Sequence, residues 1–202
     1  IKPAANKATC NLNKVVYGWH PYWVGNAYLN YDWNLLSHMS FFSYEVDAAT
    51  GNANSTHGWA TSAAVTAALA SGNTKVTLCV TLFSSHATFF ASPTAKQTLI
   101  TNLINLVQSR GAHGVNIDFE GLPASQKTNF ANFMVDLANQ FHAAIPGSDV
   151  STVLYAVDWN NVFDFAIMSS AVDKFIVMGY DYYWTGSTTA GPNDPLYHYS
   201  TT

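Results

Sequence analysis

Between Gly114 and Pro123 the chain reads GVNIDFEGLP, an apolar run carrying an aspartate and a glutamate two positions apart. Side chains on an extended strand alternate between faces, so Asn116, Asp118 and Glu120 share one face and Val115, Ile117 and Phe119 the other. Alternate residues on one face lie about 6 to 7 Å apart. Two carboxylates at that spacing in a low-dielectric site do not ionise independently: one pKa rises while the other stays low. A protonated acid beside a fixed anion can protonate a leaving group and stabilise the positive charge that develops. The competing reading makes Asp118 and Glu120 buried partners of a Lys or Arg. The nearby cations are Arg110 and Lys127, both on expected helices.

Other chemistries find less support. Seven histidines are present without an HxxxH pair or a Cys/His cluster, so no metal site is expected. His38 reads as a satisfied core residue and His113, at the base of the carboxylate-bearing strand, as structural. There is no GxSxG elbow. Cys10 and Cys79 form no disulfide framework and read as free thiols, Cys79 as a small core residue. Of the 202 residues 49% are hydrophobic and 10% charged, with a net charge of −4, which describes a core-rich globular chain without a basic field for nucleic acid or an anionic membrane. No apolar segment approaches the roughly 20 residues that span a bilayer, and no signal-peptide pattern opens the sequence. Aromatics make up 14% of the chain, with 6 Trp and 11 Tyr. Many fall near expected strand ends: Tyr17, Trp19, Tyr22, Trp23, Tyr44, Tyr155, Trp159 and residues 180–184. Amphipathic rings beside polar residues suit a polar ligand with flat apolar faces, such as a sugar, although they also serve as core.

The elements that must hold these residues alternate in type. Strands are expected at 14–19, 37–44, 75–82, 113–119, 150–157 and 174–180. Most are nearly continuous apolar runs, the pattern of parallel strands covered on both faces. Helices are expected at 59–71, 94–109, 123–144 and near 161–171, from apolar residues at helical spacing and from Gly72, Gly111, Pro123 and Pro146 at their ends. The alternation implies an α/β fold with a parallel sheet and one domain over residues 1–202. The first strand runs into GWHPYWVGNAY with no GxGxxG turn, which disfavours a nucleotide-binding doubly wound sheet and favours a TIM barrel, with its site at the C-terminal strand ends.

HGVNIDFE, residues 113–120, resembles the DGxDxDxE signature of family 18 glycoside hydrolases, the chitinases and related N-acetylglucosaminidases, and falls on the fourth expected strand, as it does in that family. MGYDYYW, residues 178–184, resembles the MxYD motif on the sixth strand, and AVDW, residues 156–159, is similar to the region after the fifth. His113 and Asn116 depart from the signature's aspartates, and CVTL, residues 79–82, stands where the family has Ser-x-Gly-Gly. Asparagine at 116 resembles a spore-cortex and peptidoglycan-type subgroup. The resemblance implies that Glu120 is the general acid and that the substrate's own 2-acetamido oxygen is the nucleophile. It further implies that Asp118 orients the acetamide, that Tyr180 hydrogen-bonds its oxygen, that Asp181 contacts sugar hydroxyls or the acetamide, and that Asn116 supports Asp118 with neutral hydrogen bonds. Met178 shares Tyr180's parity and is expected on the floor of the site. Trp19 and Tyr155 are further candidates for sugar contact.

The expectation is a retaining, substrate-assisted hydrolase of β-linked N-acetylglucosamine glycans, chitin or peptidoglycan-type, without a cofactor and exported to the envelope or beyond. The alternatives are a sugar-binding lectin on the same barrel and a scaffold fragment; the presence of Glu120 favours the enzyme. A TIM barrel has eight strands and typically about 250 residues, and six strands are found here. The first and sixth strands are therefore expected as open edges, able to meet another chain or segment.

Overall fold

The sheet grows from apolar runs that leave little choice of face. In the computed structural model, which describes residues 12–197, the strands are β1 (Tyr17–Pro21), β2 (His38–Val46), β3 (Ala53–Ser55), β4 (Lys75–Leu82), β5 (Gly114–Phe119), β6 (Asp149–Tyr155) and β7 (Lys174–Met178). Six of them lie parallel in the order β1-β2-β4-β5-β6-β7, and the short β3 returns antiparallel beside β2. All six residues of β5 and seven of the eight in β4 are buried. Burial on both faces is what continuous apolar strands require. Cys10 and His198 lie outside the described residues.

Five helices cover the outer face: α1 (Ala63–Ser71), α2 (His86–Ala91), α3 (Pro93–Arg110), α4 (Lys127–Ala144) and α5 (Phe165–Met168). Ser92 caps α3 by accepting from the Ala95 amide, Pro93 follows at the first turn, and Gly111 ends it in the left-handed conformation. Its buried stripe of Leu99, Ile100, Leu103 and Val107 packs into the same core as Phe130, Phe133, Met134, Leu137 and Phe141 of α4. Val115, Ile117 and Phe119 of β5 meet that layer, with the Phe119 and Phe133 rings stacked at 5.9 Å. Each such side chain contributes about 1.5–3 kcal/mol of burial free energy. The outward set of β5 is thereby anchored, and the polar set is turned inward.

Two cross-sheet hydrogen bonds show that the sheet curls. β1 and β5 stand three strand spacings apart, as do β2 and β6, which in a flat sheet is about 14 Å. Yet Trp19 Nε1 of β1 reaches Asn116 Oδ1 of β5 at 3.0 Å, and His38 Nε2 of β2 meets Asp149 Oδ2 of β6 at 3.1 Å. The six strands form a curved part-barrel of the TIM type whose edges, β1 and β7, do not pair with each other. At its base Asp149 also binds Lys174. Burial pushes its carboxyl up, but the hydrogen bonds and charges of His38 and Lys174 prevail and hold it at about 2.

The expected elements differ from the observed ones mainly at their ends. The first strand begins at Tyr17 rather than 14, and the helix expected over 161–171 is only the turn of α5, because Asp158 ties the amides of Val162 and Phe163 into a loop. Tyr44, grouped with the candidate sugar contacts, points away from the barrel interior: it is buried, with its hydroxyl donating to Gly51 O at 2.9 Å. Its place in the bulge between Phe41 and Tyr44 turns it towards the helices.

Candidate active site

The C-terminal ends of β5, β6 and β7 converge on one opening. Asp118 lies inside the strand and is buried; Glu120 sits one residue beyond the end of β5, its amide donating to Leu82 O at 3.1 Å, and is half-buried. Two cavities meet there. A cleft of about 800 Å³ is lined by Glu120, Tyr155, Trp159, Met178, Tyr180, Asp181 and Trp184 among others. A chamber of about 220 Å³ lies between Trp19, Trp23 and Phe42 on one side and Asp118, Val153, Met178 and Tyr180 on the other. Met178 and Tyr180 line both.

The electrostatics follow from burial. Loss of solvent pushes Asp118 up to about 7, and the neighbouring Glu120 charge adds to it. Glu120 is itself raised, first by burial and then by Asp181. Tyr180 is raised by burial and by the same carboxylates, which keeps its phenol a donor. Among the described residues no cation offsets them: Arg110 is bound to the Trp59 and Ser62 carbonyls and Lys127 to Asn161, so neither meets the pair. The reading of Asp118 and Glu120 as partners of a Lys or Arg is not what the fold builds.

Beneath the carboxylates lies a neutral floor. Asn116 is fully buried, accepts from Trp19 Nε1 and donates from Nδ2 to Ser151 Oγ at 3.0 Å. The expected hydrogen bonds from Asn116 to Asp118 are therefore not made. Alternate positions on a strand are too far apart for a short amide to bridge, and partners across the barrel take up the group instead. Asp118 Oδ2 faces the Cys79 thiol at 4.0 Å, and its Oδ1 is buried without a partner. Such a group is costly unless something binds it. Asp118 is among the residues that line the chamber.

Trp19 serves the site twice, holding Asn116 and walling the chamber. Tyr155 lines the cleft while its hydroxyl accepts from the Leu122 amide at 3.3 Å, fixing the turn after Glu120. Asp181 adopts a left-handed backbone, φ 59°, and accepts from Asn193 Nδ2 at 2.8 Å. His113 and His38 are structural: His113 Nδ1 accepts from the Val76 amide and His38 belongs to the base cluster. Ser151, Phe42 and Leu196 also shape the site. Nothing in their local sequence marks them, and Ser151 acts through Asn116, 35 residues away.

The model of the glycosyl hydrolases family 18 matches residues 13–202. The chain belongs to that family. It is 31% identical over 111 residues to a Bacillus subtilis (strain 168) protein named "Putative sporulation-specific glycosylase YdhD", a match covering 52% of this chain and 26% of YdhD. It is 25% identical over 123 residues to a class V chitinase of Arabidopsis thaliana, covering 56% of this chain and 32% of that protein. The crystal structure of YdhD superposes with a TM-score of 0.67 at 25% identity, over 78% of this chain and 54% of the other. The chain thus spans about a quarter to a third of the length of the curated relatives it matches and about half of the solved one.

Proposed function

We propose that the site hydrolyses β-linked N-acetylglucosamine glycans of the chitin or peptidoglycan type with retention of configuration. The observation that carries this reading is the placement of Glu120, Asp118 and Tyr180 around one opening, with both carboxyls raised and an unpartnered Asp118 oxygen beneath them. Glu120, whose carboxyl is raised by burial and by Asp181, delivers its proton to the glycosidic oxygen as the bond to C1 breaks. The substrate's acetamide oxygen closes onto C1, giving an oxazolinium and a released alcohol, the substrate-assisted variant of retention. Asp118 accepts the acetamide N–H and faces the developing positive charge; Tyr180 donates to the acetamide oxygen. Water then adds at C1, breaking the bond to the acetamide oxygen and regenerating the acetamide, and gives up a proton to Glu120. Likeness to a sporulation-associated glycosylase supports a cell-envelope or extracellular setting. No helix among the described residues is long and apolar enough to cross a membrane.

The test is Glu120→Gln, which keeps shape and hydrogen bonding but removes the proton. Hydrolysis of N-acetylglucosamine oligomers should fall by roughly 10² to 10⁴ while binding persists. Unchanged turnover would sink the mechanism.

A further inference from the structure

One wall of the chamber is not part of the sheet. Its other lining residues stand on a strand or just beyond one, but Trp23 lies on the 3₁₀ segment Tyr22–Asn30 that follows β1. That segment buries none of its residues, so packing into the core does not set its place. Gly25, at φ 53° and ψ −115°, breaks it after its first turn. The far side is tied down by His20, whose Nδ1 meets the Tyr31 hydroxyl at 3.1 Å and whose ring lies edge-on to Tyr28 at 6.2 Å. The first turn, which carries Trp23, has a support of its own.

That support is a short stack of rings. Trp23 stands edge-on to Phe42 at 5.7 Å and to Tyr22 at 4.8 Å, and Tyr22 lies face to face with His57, the centroids 3.6 Å apart and the planes within 3°. Two rings left to themselves prefer an offset or edge-on arrangement to such a sandwich, so the imidazole must be held in place by something else. Glu45, near the end of β2, holds it: a carboxylate can only accept, and His57 donates from Nε2 to its Oε1 at 2.7 Å. The backbone is fixed as well. The His57 amide donates to Ser55 Oγ at 3.1 Å, and Ser55 is the register partner of Glu45 across β2 and β3. His57 sits at φ 47°, a left-handed conformation that residues with a side chain rarely adopt. Its side chain is largely buried, whereas Tyr22 and Trp23 in front of it are 42% and 62% exposed.

We propose that His57 is a positioning residue for the ligand wall: fixed by Glu45, it holds Tyr22 and through Tyr22 sets Trp23 against the sugar that enters the chamber. His57 lines neither cavity and acts only through the two rings before it. The proposal rests on the hydrolase reading for the identity of the ligand, an N-acetylglucosamine chain.

The experiment is a double-mutant cycle on binding of the N-acetylglucosamine hexamer, in a Glu120→Gln background that leaves the ligand uncut. His57→Asn removes the ring but accepts a left-handed backbone. It should lower affinity about three- to tenfold. Trp23→Ala should lower it at least as much, and adding His57→Asn to Trp23→Ala should cost nothing more, because residues that act as a unit are not additive. Glu45→Ala leaves both His57 and Tyr22 in the chain; it should weaken binding in the same sense, and that loss too should vanish without Trp23. Should His57→Asn unfold the protein, Glu45→Ala carries the same cycle. With Glu120 intact, the loss should appear in KM rather than in kcat. A residue that merely steadies the fold would weaken binding equally with and without Trp23. That additive result would overturn the proposal, as would affinity indifferent to His57→Asn or no binding of the hexamer at all. If the cycle behaves as expected but the hexamer is never cleaved, the hydrolase reading fails and the positioning role stands.

Discussion

Asp118 and Asp149 are both buried aspartates on parallel strands, yet their surroundings drive them in opposite directions. Asp149 meets His38 and Lys174 and is held at about 2; Asp118 meets a thiol, a nearby carboxylate and no cation, and rises to about 7. A carboxyl whose pKa is raised on folding stabilises the fold while protonated. That contribution is full below 3.8 and is lost as pH climbs through about 7. The gap sets a ceiling of about 4 kcal/mol, which relaxation of the site reduces. Asp118→Asn should therefore gain stability relative to the native protein as pH rises, by about 1 to 3 kcal/mol between pH 5 and pH 8. Urea unfolding of both proteins at the two pH values measures it; a difference that does not change with pH would mean Asp118 is not held as described. The Asp118–Glu120 pair was legible from spacing alone. Asn116's partners were not, because Trp19 and Ser151 lie 97 and 35 residues away, and only the curl of the sheet brings them to it.

At the scale of elements, strands were easier to read than connections. Six apolar runs gave six parallel strands, because a run buried on both faces has no competing period to confuse it. The polar β3, the 3₁₀ segment at Tyr22–Asn30 and the six-residue α2 carry too short a pattern to signal themselves. The last two nonetheless matter: the 3₁₀ segment delivers Trp23 to the chamber wall, and α2 packs Phe89 and Phe90 beneath Phe119. A tight join lies between β5 and β6, where Gly114 faces Asp149 and a Cβ at 114 would stand 1.9 Å from the Asp149 carbonyl oxygen. Backbone cannot give way there as a flexible side chain could. Gly114→Ala should push the strands apart at the base, costing about 3 kcal/mol or more, and should disturb the carboxylates carried four and six residues further on. A chemical denaturation midpoint unchanged by this substitution would show that the join tolerates a methyl group.

Among the described residues the molecule is a curved sheet with two free margins of five residues each. β1 and β7 each pair on one side only, and their outer surroundings expose apolar groups: Val15 and Val16 ahead of β1, Leu35 before β2, and Val177 within β7 at 57% exposure. An unpaired apolar edge presents backbone donors and acceptors to any other strand, a hazard that soluble proteins blunt with charge, proline or cover. β7 has Lys174 at its start, but that lysine is turned to Asp149 and leaves the middle of the edge unguarded. The chain of 202 residues, prepared alone, should therefore associate through its edges as concentration rises. Val177→Lys should weaken that association by setting a charge where a second strand would dock. Lysine at this exposed position removes little buried surface, so folding should survive, and circular dichroism checks that it does. Sedimentation across a concentration series reads the result. A single monomeric species throughout, indifferent to the substitution, would show that the margins are shielded in solution by the chain's own residues.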